Sequence, residues 1–336
     1  IEKGLTVEQV DTLTGTISGR PKSATFRTAD VVGLDTLKNV ALTTYNLAKG
    51  DEERDMFQIP EILETLIKSD RLGQKTKVGF YRKNEDRSID SVDLKTGEYS
   101  RQKKVRFDCF RVAKDHQKLV EKLKALVYGD DNGAMYLWEV TAKTLIYSAN
   151  RIPEISNDIV NVDNAMKWGF AWELGPFEGW DAIGVRRSVD RMTSEGKKVP
   201  AWVTKMLETG RETFYTIENG ERTYWDPIDN GPVVMKQHPK SLNLAIHKSA
   251  GNTLKRDISA SVNDIGDGIL NVEFHSILQP ALNPIDGSYL AMINHALDLI
   301  DSGDYKAMVL GHQGQNFCAG ANLNLLLELS KYKQWD

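Results

Sequence analysis

The chain has 336 residues, enough for two or three domains with separate cores, and its 40% hydrophobic and 27% charged residues are those of an ordinary globular protein. A net charge of −4 excludes a broad attraction to nucleic acid or anionic lipid. Two cysteines, Cys109 and Cys318, form neither a disulfide framework nor a zinc pattern and suit a reducing, cytoplasmic setting, and no signal peptide or membrane-spanning apolar run is legible. The chain begins with Ile on a helix pattern already under way, which reads as a segment of a longer protein.

Residues 1–128 read as mostly helical. Thr6 and Gln9 make a capping box ahead of VDTL. A helix follows Gly33 and stops at Gly50, and Pro60 suits the first turn of EILETLIKSD. The Thr96-Gly97 turn marks a small exposed hairpin. FRVAKDHQKLVEKLKALVYG reads as one amphipathic helix, whose basic residues are interrupted by Asp108 and Asp115 and form a solvated face.

Residues 129–215 open on AMYLWEVTAKTLIYSANRI, an apolar helix expected to be buried. The segment WGFAWELGPFEGWDAIGV follows, with Trp168, Trp172 and Trp180 as core anchors. Its Phe177, Asp181 and Gly184 repeat the spacing of Phe26, Asp30 and Gly33. Asp11 and Asp163 lie upstream of the two runs; Pro60 and Pro200, then Phe80-Tyr81 and Phe214-Tyr215, lie downstream. Landmarks in one order predict an internal duplication. Asp30 and Asp181, short acids beside helix breaks, are expected to satisfy orphan backbone N–H groups.

Residues 216–256 read as a connection with two short strands and a short helix. From 257 to 336 the pattern becomes α/β. DISASVNDIG and ILNVEFHS form a hairpin at Asp267-Gly268; a helix from Gly287 and a buried strand, YKAMVLGHQ, complete a βαβ unit. The strand ends at Gly311, and Gly320-Ala321 is expected to open the last helix. Amides at a helix start are unpaired and partly positive, and Gly320 lets a ligand approach, so the Ala321 N–H is a candidate oxyanion donor.

AMVLGHQGQNFCAGANL resembles the first oxyanion-hole segment of the crotonase superfamily, the enoyl-CoA hydratases and isomerases. The resemblance implies that the Ala321 N–H polarises the thioester carbonyl of an acyl-CoA, with Gly320 beside the substrate. Asn322 stands where that family has Asp, and the family's second donor and its glutamates fall beyond this sequence. FRTADVVGLD, GQKTKVGFYRK and WELGPFEGWDAIGV resemble the C-terminal domain of 3-hydroxyacyl-CoA dehydrogenases, in tandem. In that family the helical domains close over the acyl-CoA, so Phe26 and Phe177 are expected to contact substrate. The single-copy domain makes a dimer there, and a tandem copy can replace the partner.

The two resemblances imply a multifunctional fatty-acid β-oxidation protein that oxidises 3-hydroxyacyl-CoA with NAD, with hydration of enoyl-CoA as a second activity. They give a mainly α fold, a duplicated dehydrogenase C-terminal-like body, followed by a truncated crotonase-like α/β segment. The expected divisions are 1–128 and 129–215 for the copies, 216–256 for the connection and 257–336 for the α/β part. No G-x-G-x-x-G follows a strand, so the NAD-binding unit, which in the family carries the catalytic His–Glu pair, is expected outside this sequence. The segment alone is expected to be inactive. None of the six histidines has metal-ligand spacing; His275 and His312 fall at strand ends. Expected partners are an acyl-CoA, the NAD-binding domain, the rest of a crotonase domain and a second copy in a homodimer. The alternative is a binding or oligomerisation module with no complete active site.

Overall fold

The computed structural model describes residues 3–238, 240–277, 279–314 and 316–333. Two compact units result: Ile1–Phe214 with Pro227–Asn230, and Tyr215–Asp226 with Gly231–Asp336.

The helical unit begins with α1 (Val7–Leu13), whose capping box closes through Thr6 N to Gln9 Oε1 at 2.8 Å and Gln9 N to Thr6 Oγ1 at 3.4 Å. Next come α2 (Phe26–Val32) and α3 (Leu34–Leu47), separated by Gly33 at φ +96°. Pro60 leads into α4 (Glu61–Lys68), and an antiparallel meander follows: β1 (Tyr81–Lys83), β2 (Ile89–Val92) and β3 (Tyr99–Arg101).

The expected single helix of residues 110–129 is two, α5 (Asp108–Asp115) and α6 (Leu119–Val127), parted by an extended His116. Packing forces the break. Ala113 and Leu126 belong to one core cluster with Leu13 and Leu137, whereas a straight helix would hold them about 20 Å apart at 1.5 Å per residue.

Then α7 (Asn132–Asn150), N-capped by Asp131, leads to α8 (Ile159–Phe170), N-capped by Asp158. α9 (Pro176–Ile183) and α10 (Val185–Ser194) are parted by Gly184 at φ +91°, and α11 (Ala201–Glu208) follows Pro200. The order helix, helix, glycine, helix, proline, helix thus occurs twice. The tryptophans divide: Trp180 is fully buried and donates to Ser188 Oγ at 2.7 Å, Trp172 lies under Arg20, and Trp168 is 80% exposed.

The second unit starts with a meander of β4 (Tyr215–Glu218), β5 (Glu221–Asp226) and β6 (Gly231–Val234). Two strands were expected here. The third carries Pro232, a residue that edge strands tolerate because one side of the strand makes no ladder bonds. After α12 (Leu244–Ser249) come β7 (Thr253–Arg256), β8 (Ala260–Asp264), β9 (Ile269–Phe274), α13 (Gly287–Asp301), β10 (Ala307–Leu310) and α14 (Leu323–Lys331).

The sheet order is β10-β9-β8-β7. The β8–β9 hairpin turns at Asp267 and Gly268, both at positive φ, and β10 runs parallel to β9 after the α13 crossover. One face of β8 and β9, including Val262, Leu270, Val272 and Phe274, packs on Tyr289, Met292 and Ala296 of α13. β10 is an edge strand rather than a buried one, with Val309 51% exposed.

Candidate functional site

The turn between β10 and α14 is held from below. Residues 281–285 supply its partners: Asn316 Nδ2 donates to Ala281 O at 2.7 Å, Ala319 N to Leu282 O at 2.8 Å, and the buried Asn283 Nδ2 to Phe317 O at 2.8 Å. Ile285 N donates to Gly320 O at 2.8 Å and Asn322 N to Ile285 O at 3.1 Å, a parallel bridge centred on Ala321. In such a bridge the groups of residues 320 and 322 face the partner, so those of Ala321 face away. Among the described residues no acceptor pairs with the Ala321 N–H. Gly320, at φ +98°, has nothing within 4 Å of where a Cβ would stand. The result is a fixed turn with an exposed amide and room over Gly320. Gln315, within the same stretch, lies outside the described residues.

The reason for the free amide differs from the one expected. Helix α14 starts at Leu323, not Ala321, because Asn322 is its N-cap and its Oδ1 accepts from Asn324 N at 3.1 Å and Leu325 N at 3.2 Å. The helix thus satisfies its own early amides, and the Ala321 N–H is left over by the bridge preceding it.

In the helical unit each repeat is tied by two aspartates, one buried (Asp30, Asp163) and one half-buried (Asp11, Asp181). Asp11 accepts from Thr25 N, Phe26 N and Arg27 N at 2.7–3.1 Å, capping α2, and from Tyr81 Oη at 2.8 Å. Asp163 does the same for α9, accepting from Phe177 N at 2.7 Å and Glu178 N at 3.0 Å. Asp30 accepts from Phe80 N at 2.8 Å and Tyr81 N at 2.9 Å; Asp181 accepts from Phe214 N at 2.6 Å. The orphan amides that Asp30 and Asp181 satisfy therefore belong to the distant aromatic pair, not to the adjacent helix break. Burial pushes the Asp11 and Asp30 carboxyls above the ordinary carboxylate range, against the hydrogen bonds that lower them.

Of the two phenylalanines singled out, Phe177 is fully buried among Trp202, Phe214 and Trp180. Phe26 packs edge-on to Phe80 at 4.6 Å and lines an apolar cleft of about 1020 Å³, walled by α2, α3, α4 and one face of α7. Sequence reasoning missed this cleft; its signal was the pair Ala29 and Ala41, small residues where the second repeat has Trp180 and Met192.

The histidines make no constellation. His275 is half-buried with both ring nitrogens unpartnered among the described residues, and desolvation holds it below its ordinary pKa. Among the described residues no cluster of His, Cys, Asp or Glu could hold a metal ion, and no helix is long and apolar enough to cross a membrane.

Residues 1–83 match the family model described as 3-hydroxyacyl-CoA dehydrogenase, C-terminal domain. A probable 3-hydroxyacyl-CoA dehydrogenase of Bacillus subtilis (strain 168) is 41% identical over 327 residues, 97% of this chain and 40% of that protein. A putative fatty acid oxidation complex trifunctional enzyme of Rickettsia felis is 21% identical over 322 residues, 92% of this chain and 38% of that protein. A probable 3-hydroxyacyl-CoA dehydrogenase of Deinococcus radiodurans is 42% identical over 83 residues, 25% of this chain and 23% of that protein. Similarity to the Bacillus protein runs along nearly the whole chain, which spans about two fifths of the length of the first two relatives.

Proposed function

We propose that this chain is the acyl-CoA-facing part of a fatty-acid β-oxidation protein whose whole polypeptide oxidises 3-hydroxyacyl-CoA with NAD and also hydrates enoyl-CoA. The dehydrogenase reading is supported by the match of residues 1–83 and by the 41% identity along 97% of the chain. The second activity is supported by the crotonase-like order of hairpin, helix, parallel strand and Gly-rich turn, and by the name of the Rickettsia relatives.

The observation that carries a role for this chain's own atoms is the unpaired Ala321 N–H on an anchored turn. A thioester oxygen placed against it accepts one preorganised hydrogen bond, which strengthens as negative charge builds on that oxygen. Gly320 gives the substrate its approach, and Phe26 presents an apolar wall in the helical unit. Phe177, expected to contact substrate, is fully buried and offers it no surface. The described residues do not fit NAD: no strand here leads through G-x-G-x-x-G into a helix, and Asn322 already occupies the first amides of α14. NAD would supply hydride acceptance elsewhere in the polypeptide.

Titration with an acyl-CoA tests this reading. Saturable binding is expected, weakened about fivefold by Ala321→Pro, which deletes one neutral hydrogen bond of about 1 kcal/mol, and unchanged by Ala321→Gly, which keeps the amide. Equal affinity in all three proteins sinks the role of Ala321. No binding, with concentration-dependent dimers, favours an assembly module instead.

A further inference from the structure

Arg20 sits where the two repeats meet, and it has no counterion. Its amide donates to Gly15 O at 3.3 Å, and the neighbouring Gly19 O accepts from Glu173 N at 2.8 Å, so loops of both repeats hold the residue in place. The half-buried guanidinium lies over the Trp172 ring at 4.3 Å. Arg82, Arg101, Arg151 and Arg186 each pair with a carboxylate; among the described residues none pairs with Arg20. Burial pulls its guanidinium below the ordinary range, and the Tyr136 phenol is the one titratable group near enough to act on it. An arginine does not escape this cost by losing its proton. The indole face offsets part of the charge but accepts none of the N–H groups in the plane of the guanidinium.

Arg20 lines a small cavity inside the helical unit. Thr141 of α7 lines it as well, and among the described residues its hydroxyl makes no hydrogen bond. Thr144, one turn further along α7, is different, since its hydroxyl donates to Val140 O at 2.8 Å. Much of the remaining wall is aliphatic, with Leu123 and Leu126 of α6 and Leu137 and Leu145 of α7, and no acidic residue lines it. A cation and a free hydroxyl beside an aliphatic wall are complementary to an anion that carries an apolar tail. An inorganic oxyanion would leave the aliphatic wall uncovered, and a neutral apolar molecule would leave the guanidinium without an acceptor. A carboxylate matches the planar N–H edge of arginine with two oxygens.

We propose that this cavity binds a short aliphatic carboxylic acid as its anion, with the carboxylate on Arg20 and Thr141 and the tail among Leu123, Leu126, Leu137 and Leu145. The site lies apart from the turn at Ala321 and does not rest on the role given to that amide. Its walls come from both repeats, Arg20 from the first and Trp172 from the second, so the bound acid also fastens one repeat to the other.

Calorimetric titration with sodium hexanoate tests the proposal. One saturable site is expected, with acetate and hexanol, the head and the tail alone, each about tenfold weaker or more. Arg20→Met should weaken hexanoate about tenfold or more, because a charge-assisted hydrogen bond is lost. Thr141→Val, which keeps the volume and removes one neutral donor, should weaken it about fivefold. Saturating hexanoate should raise the melting temperature of the wild type and leave that of Arg20→Met unchanged. Ala321→Pro should bind hexanoate as the wild type does, which separates this site from the thioester turn. Should Arg20→Met fail to fold, Thr141→Val decides. The proposal is overturned by the absence of a saturable site, by wild-type affinity in Thr141→Val, or by acetate or hexanol binding as tightly as hexanoate.

Discussion

Asp30 joins residues far apart in sequence, because one buried carboxylate serves two backbone amides of the chain 50 residues later. Gly79 must be glycine for this: a Cβ there would collide with the Asp30 carboxylate. Asp30→Ala is expected to strand the Phe80 N–H in the core and to cost about 2–4 kcal/mol, a drop of several degrees in melting temperature; Asp30→Asn, which keeps one acceptor, should cost less. The pH dependence has a definite sign. Because burial raises the folded carboxyl above its unfolded value near 3.8, the folded state takes up the proton first, and stability contributed by this residue rises as pH falls through that window. Melting curves of the wild type against Asp30→Asn between pH 6 and 3.5 read the difference; an identical slope would show that the carboxyl titrates as it does in the unfolded chain. The acid itself was legible beside its helix break. Its partners were not, since nothing local to residues 26–33 indicates which distant amides will be orphaned.

At the scale of elements, local chemistry was read well where one residue dictates the backbone. Gly33 and Gly184 stop their helices at positive φ, Thr6 and Gln9 close a capping box, and Asp267-Gly268 turns a hairpin. Where packing decides, the sequence misled. The split between α5 and α6 comes from two apolar faces that must reach one core, and Trp168, an apolar residue in an apolar stretch, points outward. Helix α14 is leucine-rich, yet none of its residues is buried and Leu323 is 76% exposed. A helix of 9 residues without tertiary packing is marginal in water, since nucleation is costly and propagation short. Its amides are therefore expected to exchange with solvent deuterium far faster than those of α13, which buries Tyr289, Met292 and Ala296. Equal protection in the two helices would mean that α14 is covered in solution.

For the whole molecule, the doubled body and the α/β part make different demands on cooperativity. The repeats are fastened to each other inside one unit. Glu173 N donates to Gly19 O at 2.8 Å, Arg20 stacks on Trp172 at 4.3 Å, and Arg151 at the end of α7 pairs with Asp51 and Glu52 beyond α3. Residues 19–20 and 172–173 occupy matching loops, so the repeats meet through equivalent surfaces, as the two halves of a symmetric dimer do. The α/β unit instead keeps its apolar core between β8, β9 and α13. Two calorimetric transitions follow, one for the paired repeats and one for the α/β unit. Val272→Ala removes two buried methyl groups from the second core and is expected to lower one transition by about 2–3 kcal/mol, while Asp30→Ala lowers only the other. If the repeats melted separately, giving three transitions, the contacts at Gly19 and Arg20 would be too weak to make the duplication a single body, and the tandem copy would have to act as a tethered neighbour.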